Sequence, residues 1–212
     1  MIDEIVERTP RPSIYVITGR RGSGKDATAC ALARGIQQTT KKEVYSNYDP
    51  DRFKLPKGWK HRRGRNYKKD SIQLLSDSHL DYFSRDWRDD AASQYVKLAS
   101  ISRHRDIDFI HTTQLASLID RQVISNVDAV VMKEPSAMAD KFERREMKEI
   151  TEEARVVFEG MGQMEKWRTA YVVTHTGSFV VKGIKKPAWF TEDMSKIYGE
   201  DPVNIPILRR VW

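Results

Sequence analysis

One segment near the start of the chain constrains the fold more than any other. An apolar run rich in β-branched residues, 13–18 (SIYVIT), leads into GRRGSGK at 19–25, and a helix is predicted over 26–37. Glycines allow a loop to wrap closely around phosphate groups with its N–H groups pointing inward, and the following helix N-terminus adds partial positive charge. Because the pattern Gly-x-x-x-x-Gly-Lys lies between a strand and a helix, it predicts a phosphate-binding loop in an α/β domain.

The residues of this loop are expected to bind ATP together with Mg²⁺. Lys25 should reach the β- and γ-phosphates. The next position usually holds a serine or threonine that binds the metal, whereas this chain has Asp26. A carboxylate also suits a helix N-terminus, so Asp26 either has a structural role or contacts the metal, directly or through water. The predicted nucleotide-binding residues are Gly19, Arg20, Arg21, Gly22, Ser23, Gly24, Lys25, Asp26 and Ala27.

Apolar runs with β-strand composition alternate with helical stretches along the chain. Strands are predicted at 13–18, 43–48, 71–75, 107–113 and 127–133, and helices at 26–37, 92–104 and 115–124. The rest of the chain is predicted to contain a polar lead-in at 1–12 and a stretch without a clear period at 49–70. A charged helical region follows at 137–167, and a hairpin pairs 169–175 with 178–184. This order predicts an α/β P-loop NTPase with a mostly parallel central sheet flanked by helices, plus a C-terminal β-hairpin. We expect one domain over 1–212, with its motifs in 13–133 and a C-terminal region at 134–212.

A second acidic site is expected where another apolar strand ends. The candidate is 74–80 (LLSDSHL), which has one acid where an Asp-Glu pair is usual. Asp77 is either the carboxylate that orients Mg²⁺ or the acid that activates water, with Ser76 then in the metal position; a plain surface turn is the third alternative. We favour an exchange of roles in which Asp26 holds the metal, Ser76 supports its waters and Asp77 orients the attacking water.

The segment 102–114 (SRHRDIDFIHTTQ) resembles the FtsK–HerA superfamily of P-loop ATPases. In that group a basic helix end precedes a strand that ends in Thr-Gln or Ser-Gln. The order of residues in this segment is especially similar to that of the zonula-occludens-toxin-like branch and of genome-packaging ATPases of icosahedral archaeal viruses. The resemblance covers residues 13 to about 133 and implies a ring of identical subunits, a pentamer or hexamer, that moves double-stranded DNA with ATP hydrolysis. Proteins of a capsid vertex are a further implied partner.

The same resemblance implies roles for three residues of the segment. Gln114 would sense the γ-phosphate; the alternative is a strand-end residue that only makes hydrogen bonds. Arg103 or Arg105 would act as an arginine finger on the neighbouring subunit's nucleotide, because an arginine fork stabilises charge on the transferred phosphoryl oxygens. The alternative for both arginines is a favourable interaction with the dipole at a helix C-terminus.

The stretch 54–69 is rich in lysine and arginine and has no acidic residue, in a chain of net charge +7. Contacts from such residues to DNA phosphates are independent of base sequence, which suits a translocating protein. The alternative is a solvated basic loop that Trp59 and Tyr67 anchor to the core. The predicted DNA-contacting residues are Lys60, Arg62, Arg63, Arg65, Lys68 and Lys69.

Several functional classes remain in competition at this stage. A DNA-translocating ATPase is the first prediction, and a nucleoside or nucleotide kinase with 54–69 as its lid is the alternative, although it leaves Gln114 unexplained. A membrane-associated export protein of the toxin-like branch would need a membrane span, and no apolar run is long enough. The single cysteine, Cys30, and the lack of a signal-peptide core favour the cytoplasm, either the host's or, if viral, association with the virion.

Overall fold

A single mixed sheet organises the chain. The computed structural model describes residues 1–62, 67–76, 97, 100–119 and 121–196. Within these ranges eight strands pair in the order β3-β2-β4-β5-β1-β6-β7-β8. Neighbours from β3 to β6 are parallel, and β7 and β8 are added antiparallel at one edge. The strands are β1 (Ile14–Thr18), β2 (Glu43–Ser46), β3 (Trp59–His61), β4 (Ser71–Leu75), β5 (Ile107–Thr113), β6 (Ala129–Met132), β7 (Ala170–Thr174) and β8 (Gly177–Val181).

Helices cover both faces of the sheet, and the predicted α/β class with a C-terminal hairpin is confirmed. Every residue of β1 and β5 is buried, as is usual for parallel strands with helices on each side. The described helices are α1 (Ile2–Arg8), α2 (Lys25–Thr40), α3 (Arg121–Ile124), α4 (Ala139–Phe142), α5 (Arg145–Phe158) and α6 (Gln163–Trp167), with 3₁₀ helices at Ser102–Arg105, Ala116–Leu118 and Asp193–Lys196.

The core is divided by the sheet into two main layers. Alternate residues of β1 point to opposite faces, so Tyr15 and Ile17 join the cluster that contains α2. Ile14 packs on the other face with Phe109 of β5. Cys30 is free and buried within the α2 layer, as expected for a small apolar side chain.

The structure corrects several predicted elements. The lead-in at 1–12 contains α1, whose Ile5 and Val6 are buried against the same layer as α2. The region 137–167 is not one helix but is divided into α4, α5 and α6. Gly160 has a left-handed backbone (φ 73°) just after α5, which ends the helix there. Between α4 and α5, the carboxylate of Glu143 accepts hydrogen bonds from two backbone N–H groups that follow β5.

Two further predictions were wrong because the elements concerned are only three or four residues long. The helix predicted at 115–124 is a 3₁₀ helix followed by α3, and the stretch at 49–70 contains β3, whose three residues are too few to show a period. The helix predicted at 92–104 lies mostly outside the described residues, and its end is the 3₁₀ helix Ser102–Arg105. In the part of the chain that the structure describes, no helix is both long and apolar enough to cross a membrane.

Candidate active site

The predicted phosphate-binding loop lies between β1 and α2, as the pattern requires. Gly22 (φ 75°) and Gly24 (φ 84°) have left-handed backbones that other residues rarely adopt. Gly19 is needed for a different reason, because a Cβ atom there would lie 2.8 Å from the Cβ of Lys133. Lys25 is the first residue of α2, and its side chain is only 5 % exposed. The loop therefore presents Lys25 beside the first N–H groups of a 16-residue helix.

Asp26 connects the loop to two strands of the sheet. Its Oδ1 atom accepts one hydrogen bond from the Ser76 hydroxyl and one from the Thr112 hydroxyl, each at 2.8 Å. Ser76 directly follows β4, and Thr112 is near the end of β5. The ends of parallel strands thus bring a carboxylate and two hydroxyl groups together, as predicted for Asp26 and Ser76. Thr112 was missed, although its place before Thr113-Gln114 at a strand end was the available signal.

Gln114 lies at the mouth of the same site. Its side chain is exposed, and its backbone carbonyl accepts a hydrogen bond from the Thr18 hydroxyl at 3.3 Å, which ties the end of β5 to the end of β1. A cavity of about 850 Å³ is lined by Gln114, Lys25 and Asp26. Residues after the hairpin also line it, and among these Ile184 and Phe190 are buried and apolar. The lining from this C-terminal segment is Ile184, Lys185, Lys186, Phe190, Thr191, Glu192 and Ser195.

A hydrogen-bond network fastens α6 to the phosphate-binding loop. The indole N–H of Trp167 donates to the Gly22 carbonyl at 2.9 Å. Lys133, which follows β6 and is fully buried, donates to the carbonyls of Trp167 (2.9 Å) and Thr169 (2.6 Å). Burial lowers the pKa of Lys133 to about 7. Sequence reasoning did not find Lys133 or Trp167, because neither belongs to a recognisable motif.

Arg20 takes part in the same network. Its Nε atom lies 2.6 Å from Glu134, and its NH2 group donates to Gln163 of α6 at 3.2 Å. Lys166 of α6 pairs with the other Glu134 oxygen at 2.8 Å. Desolvation acts to raise the pKa of Glu134, but the hydrogen bonds from Lys166 and Arg20 lower it, so the carboxylate stays charged.

The two arginines proposed as fingers lie elsewhere. The 3₁₀ helix that contains Arg103 and Arg105 precedes β5, so it lies at the amino-terminal end of that strand, whereas Gln114 lies at the carboxyl end. Arg103 is 68 % exposed and pairs with Asp128 at 2.8 Å. The second carboxylate oxygen of Asp128 accepts the backbone N–H of Ile14 at 2.9 Å. Neither arginine is near the nucleotide loop of its own chain, so a finger role requires a second subunit.

The basic stretch is only partly available to a partner. Arg62 is 8 % exposed and its guanidinium carbon lies 5.6 Å from the Tyr67 ring centroid, so little of its side chain is accessible to a partner. Trp59 and Tyr67 are buried and therefore anchor the stretch to the core. Trp59 donates to Gln37 at 3.1 Å.

The other residues predicted to contact DNA differ in their surroundings. Lys60 is half exposed and paired with Glu43, whereas Lys68 and Lys69 are exposed. Arg63, Arg65 and Asp77 lie outside the described residues.

Solved structures with the same architecture include viral, toxin and conjugation proteins. The genome packaging NTPase of Sulfolobus turreted icosahedral virus 2, in complex with sulfate, matches with TM-score 0.59 and 14% identity over 82% of this chain and 98% of that chain. The N-terminal domain of zonular occludens toxin from Neisseria meningitidis matches with TM-score 0.51 and 15% identity over 88% of this chain and 97% of that one. The pCW3 conjugation coupling protein TcpA with ATPγS matches with TM-score 0.55 and 11% identity over 86% of this chain and 62% of that chain.

The viral packaging NTPase also has structures with ATPγS and AMPPCP, so its fold accommodates a nucleotide. No protein-family model matches this sequence, and no curated protein matches it. The resemblance predicted from residues 102–114 is confirmed at the level of the fold. This chain therefore shares the fold of these solved proteins.

Proposed function

We propose that this protein is an ATP-hydrolysing motor that translocates double-stranded DNA, and that its task is to package a viral genome into a capsid. The proposal rests on one observation. Lys25, Asp26 and Gln114 line the same cavity, and the Asp26 carboxylate accepts hydrogen bonds from the Ser76 and Thr112 hydroxyls. That combination supplies a cation for the phosphates, hard oxygen ligands and an amide at the end of the central strand. Solved proteins of this fold include a viral genome packaging NTPase.

The phosphates would lie in the loop, where Lys25 neutralises the β- and γ-phosphates. The oxygens around Asp26 fit Mg²⁺, because this ion prefers carboxylate, hydroxyl and water oxygens and keeps several waters. When bound with the nucleotide, the ion neutralises charge that develops on the phosphoryl oxygens. Asp26 would hold it directly or through water, while Ser76 and Thr112 fix the position of the carboxylate.

Gln114 would contact the γ-phosphate, because its exposed side chain lines the cavity. Asp77 follows Ser76 in sequence and would orient the attacking water. The base would lie in the apolar part of the cavity against Ile184 and Phe190. Arg103 or Arg105 would complete the site of a neighbouring subunit in a homo-oligomeric ring. A capsid vertex would dock this ring, in the host cytoplasm or on the virion.

Duplex DNA would be held through its phosphates by the exposed part of the basic stretch. Lys60, Lys68 and Lys69 belong to this part. Arg63 and Arg65, which lie outside the described residues, are proposed as further contacts from the sequence alone. The kinase alternative needs 54–69 as a lid that closes over a substrate. The burial of Trp59, Arg62 and Tyr67 argues against such a lid, because the stretch is packed on the core at three points.

The test is the ATPase rate with and without duplex DNA. We expect Mg²⁺-dependent release of phosphate that duplex DNA accelerates, because translocation couples turnover to the polymer. Lys25→Ala should reduce turnover to background, while Lys141→Ala, which changes an exposed lysine of α4, should not alter it. Transfer of phosphate to a nucleoside or nucleotide acceptor, with no response to DNA, would favour a kinase. Normal turnover by Lys25→Ala would contradict the whole site.

A further inference from the structure

Two adjacent residues that follow β2, Asn47 and Tyr48, surround Ser76 with hydrogen bonds. The Asn47 side chain donates from Nδ2 to the Ser76 carbonyl at 3.2 Å and accepts the Ser76 N–H on Oδ1 at 3.3 Å. The Tyr48 hydroxyl donates to the Ser76 hydroxyl oxygen at 3.3 Å. Asn47 therefore fixes the backbone of Ser76, and Tyr48 contacts its side chain.

The contact from Tyr48 determines which way the Ser76 hydroxyl points. A serine hydroxyl has one proton to donate and lone pairs that accept. Since Tyr48 donates to the Ser76 oxygen, the single proton of Ser76 is left to donate to Asp26, at 2.8 Å. The result is a directed chain from Tyr48 through Ser76 to the Asp26 carboxylate, and its last bond is the stronger, charge-assisted type.

The surroundings of Tyr48 hold its side chain in place. The side chain is fully buried. The buried Cys30 thiol is hydrogen-bonded to the Tyr48 hydroxyl from α2, and Phe53 packs edge-on against the ring at 6.1 Å. Burial and these neighbours fix the Tyr48 ring, which keeps its hydroxyl oxygen beside Ser76.

We propose that Asn47 and Tyr48 are positioning residues for the metal side of the site. Tyr48 orients the Ser76 hydroxyl onto Asp26, and Asn47 fixes the backbone of Ser76. The pair thus acts through Ser76 and contacts neither nucleotide nor metal. This inference depends on the proposed function, because it assigns Ser76 and Asp26 to the metal side of an ATP site.

The first experiment removes one hydroxyl. Tyr48→Phe keeps the ring and deletes the donor, and Tyr45→Phe is the matched control, because the Tyr45 hydroxyl donates instead to Glu43 at 2.9 Å. Mg²⁺ is titrated into each protein with a non-hydrolysable ATP analogue, and affinity is measured calorimetrically. We expect Tyr48→Phe to weaken Mg²⁺ affinity about tenfold, and Tyr45→Phe to leave it unchanged. Analogue affinity without Mg²⁺ should be unchanged in both variants.

A double-mutant cycle then separates positioning from a merely structural role. If Tyr48 acts through Ser76, Ser76→Ala should weaken Mg²⁺ affinity, and adding Tyr48→Phe should have no further effect. An independent loss in the double variant, or unchanged affinity in Tyr48→Phe, would overturn the inference. Asn47→Ala, with the same titration, provides the answer if Tyr48→Phe does not fold: unchanged Mg²⁺ affinity would again overturn it. If the wild-type protein shows no Mg²⁺-dependent nucleotide binding at all, the proposed function fails instead.

Discussion

The Asp26 carboxylate and the Ser76 hydroxyl are joined by a 2.8 Å hydrogen bond between the phosphate-binding loop and the end of β4. In P-loop NTPases the usual order is the reverse, with a serine or threonine on the loop and an aspartate on the strand, both serving Mg²⁺. This chain keeps one carboxylate and one hydroxyl but exchanges their positions. The metal assignment proposed for Asp26 can be tested by exchanging the two residues back.

Exchanging the residues at positions 26 and 76 should restore the Mg²⁺ affinity and the stability that the single substitutions remove. Asp26→Ser leaves three hydroxyls and no carboxylate at this point and should weaken Mg²⁺ affinity by about 10- to 100-fold. Ser76→Asp places two carboxylates side by side and should destabilise the fold by like-charge repulsion. The double variant Asp26→Ser/Ser76→Asp should recover Mg²⁺ affinity and thermal stability. If the double variant is no better than the worse single one, the two positions are not equivalent and Asp26 has a structural role.

The buried Lys133 should give the protein a pH-dependent stability. Its pKa is about 7 in the folded chain and about 10.5 when unfolded, so the unfolded state binds more protons between these values. The free energy of unfolding should therefore increase as the pH rises from 7 towards 10.5, by at most about 5 kcal/mol. Hydrogen bonds to the Trp167 and Thr169 carbonyls favour the charged form and reduce this effect. Below pH 7 Lys133 contributes no further change.

The measurement compares denaturant unfolding of Lys133→Met with that of the wild type at several pH values. The variant should have a flatter pH profile between pH 7 and 10, and it should be less stable at pH 7, because two buried carbonyls lose their donor. The control, Lys141→Met, changes an exposed lysine of α4 and should follow the wild-type profile. Parallel profiles for Lys133→Met and wild type would mean that Lys133 is charged throughout.

The exposed lysines of the basic stretch should contribute to DNA binding without base preference. Lys68→Glu/Lys69→Glu should weaken binding to duplexes of any sequence and reduce the slope of log affinity against log salt by about 2. Lys141→Glu/Lys148→Glu makes the same change in charge on α4 and α5, and should alter the slope less. Equal slopes in both double variants would show that only net charge matters and that 54–69 is not the contact surface.

The sequence predicted the parts of the site that lie on strong local patterns. The glycine loop, Ser76 and Gln114 each directly follow a strand, and Asp26 directly follows the loop, so their meeting at the carboxyl ends of the strands follows from the parallel order of the strands. Thr112 could have been found by the same argument, because it is two residues before the end of the segment that carries the resemblance. α1 was missed because four of its seven residues are charged, and its burial rests on Ile5 and Val6.

The network behind the loop could not have been predicted in this way. Lys133 and Trp167 are far from the glycines in sequence, and only the three-dimensional fold brings their donors to backbone carbonyls. The burial of Arg62 is similar, because a basic stretch gives no local sign of which arginine turns inwards. Tertiary contacts decided these positions, and composition alone suggested the opposite for Arg62.

The last prediction concerns the arginines before β5. Because Arg103 and Arg105 lie at the opposite end of β5 from Gln114, they can reach a nucleotide only in another subunit. Arg103→Ala/Arg105→Ala should hydrolyse ATP slowly although its own loop is intact. Mixed with Lys25→Ala, it should regain activity, because the Lys25→Ala subunit supplies arginines to an intact loop. The mixture must first be shown to co-assemble, for example by sedimentation.

A structural role for Arg103 predicts a different outcome. Arg103 pairs with Asp128, which caps the N–H of Ile14 at the start of β1, so its loss could act by loosening the sheet within one subunit. Asp128→Asn is the matched control, because it weakens that ion pair and leaves both arginines in place. If Asp128→Asn lowers activity as much as Arg103→Ala/Arg105→Ala does, and mixing with Lys25→Ala gives no rescue, the arginines act in their own chain. Rescue of the double-alanine variant together with normal turnover in Asp128→Asn would establish that they act on a neighbour.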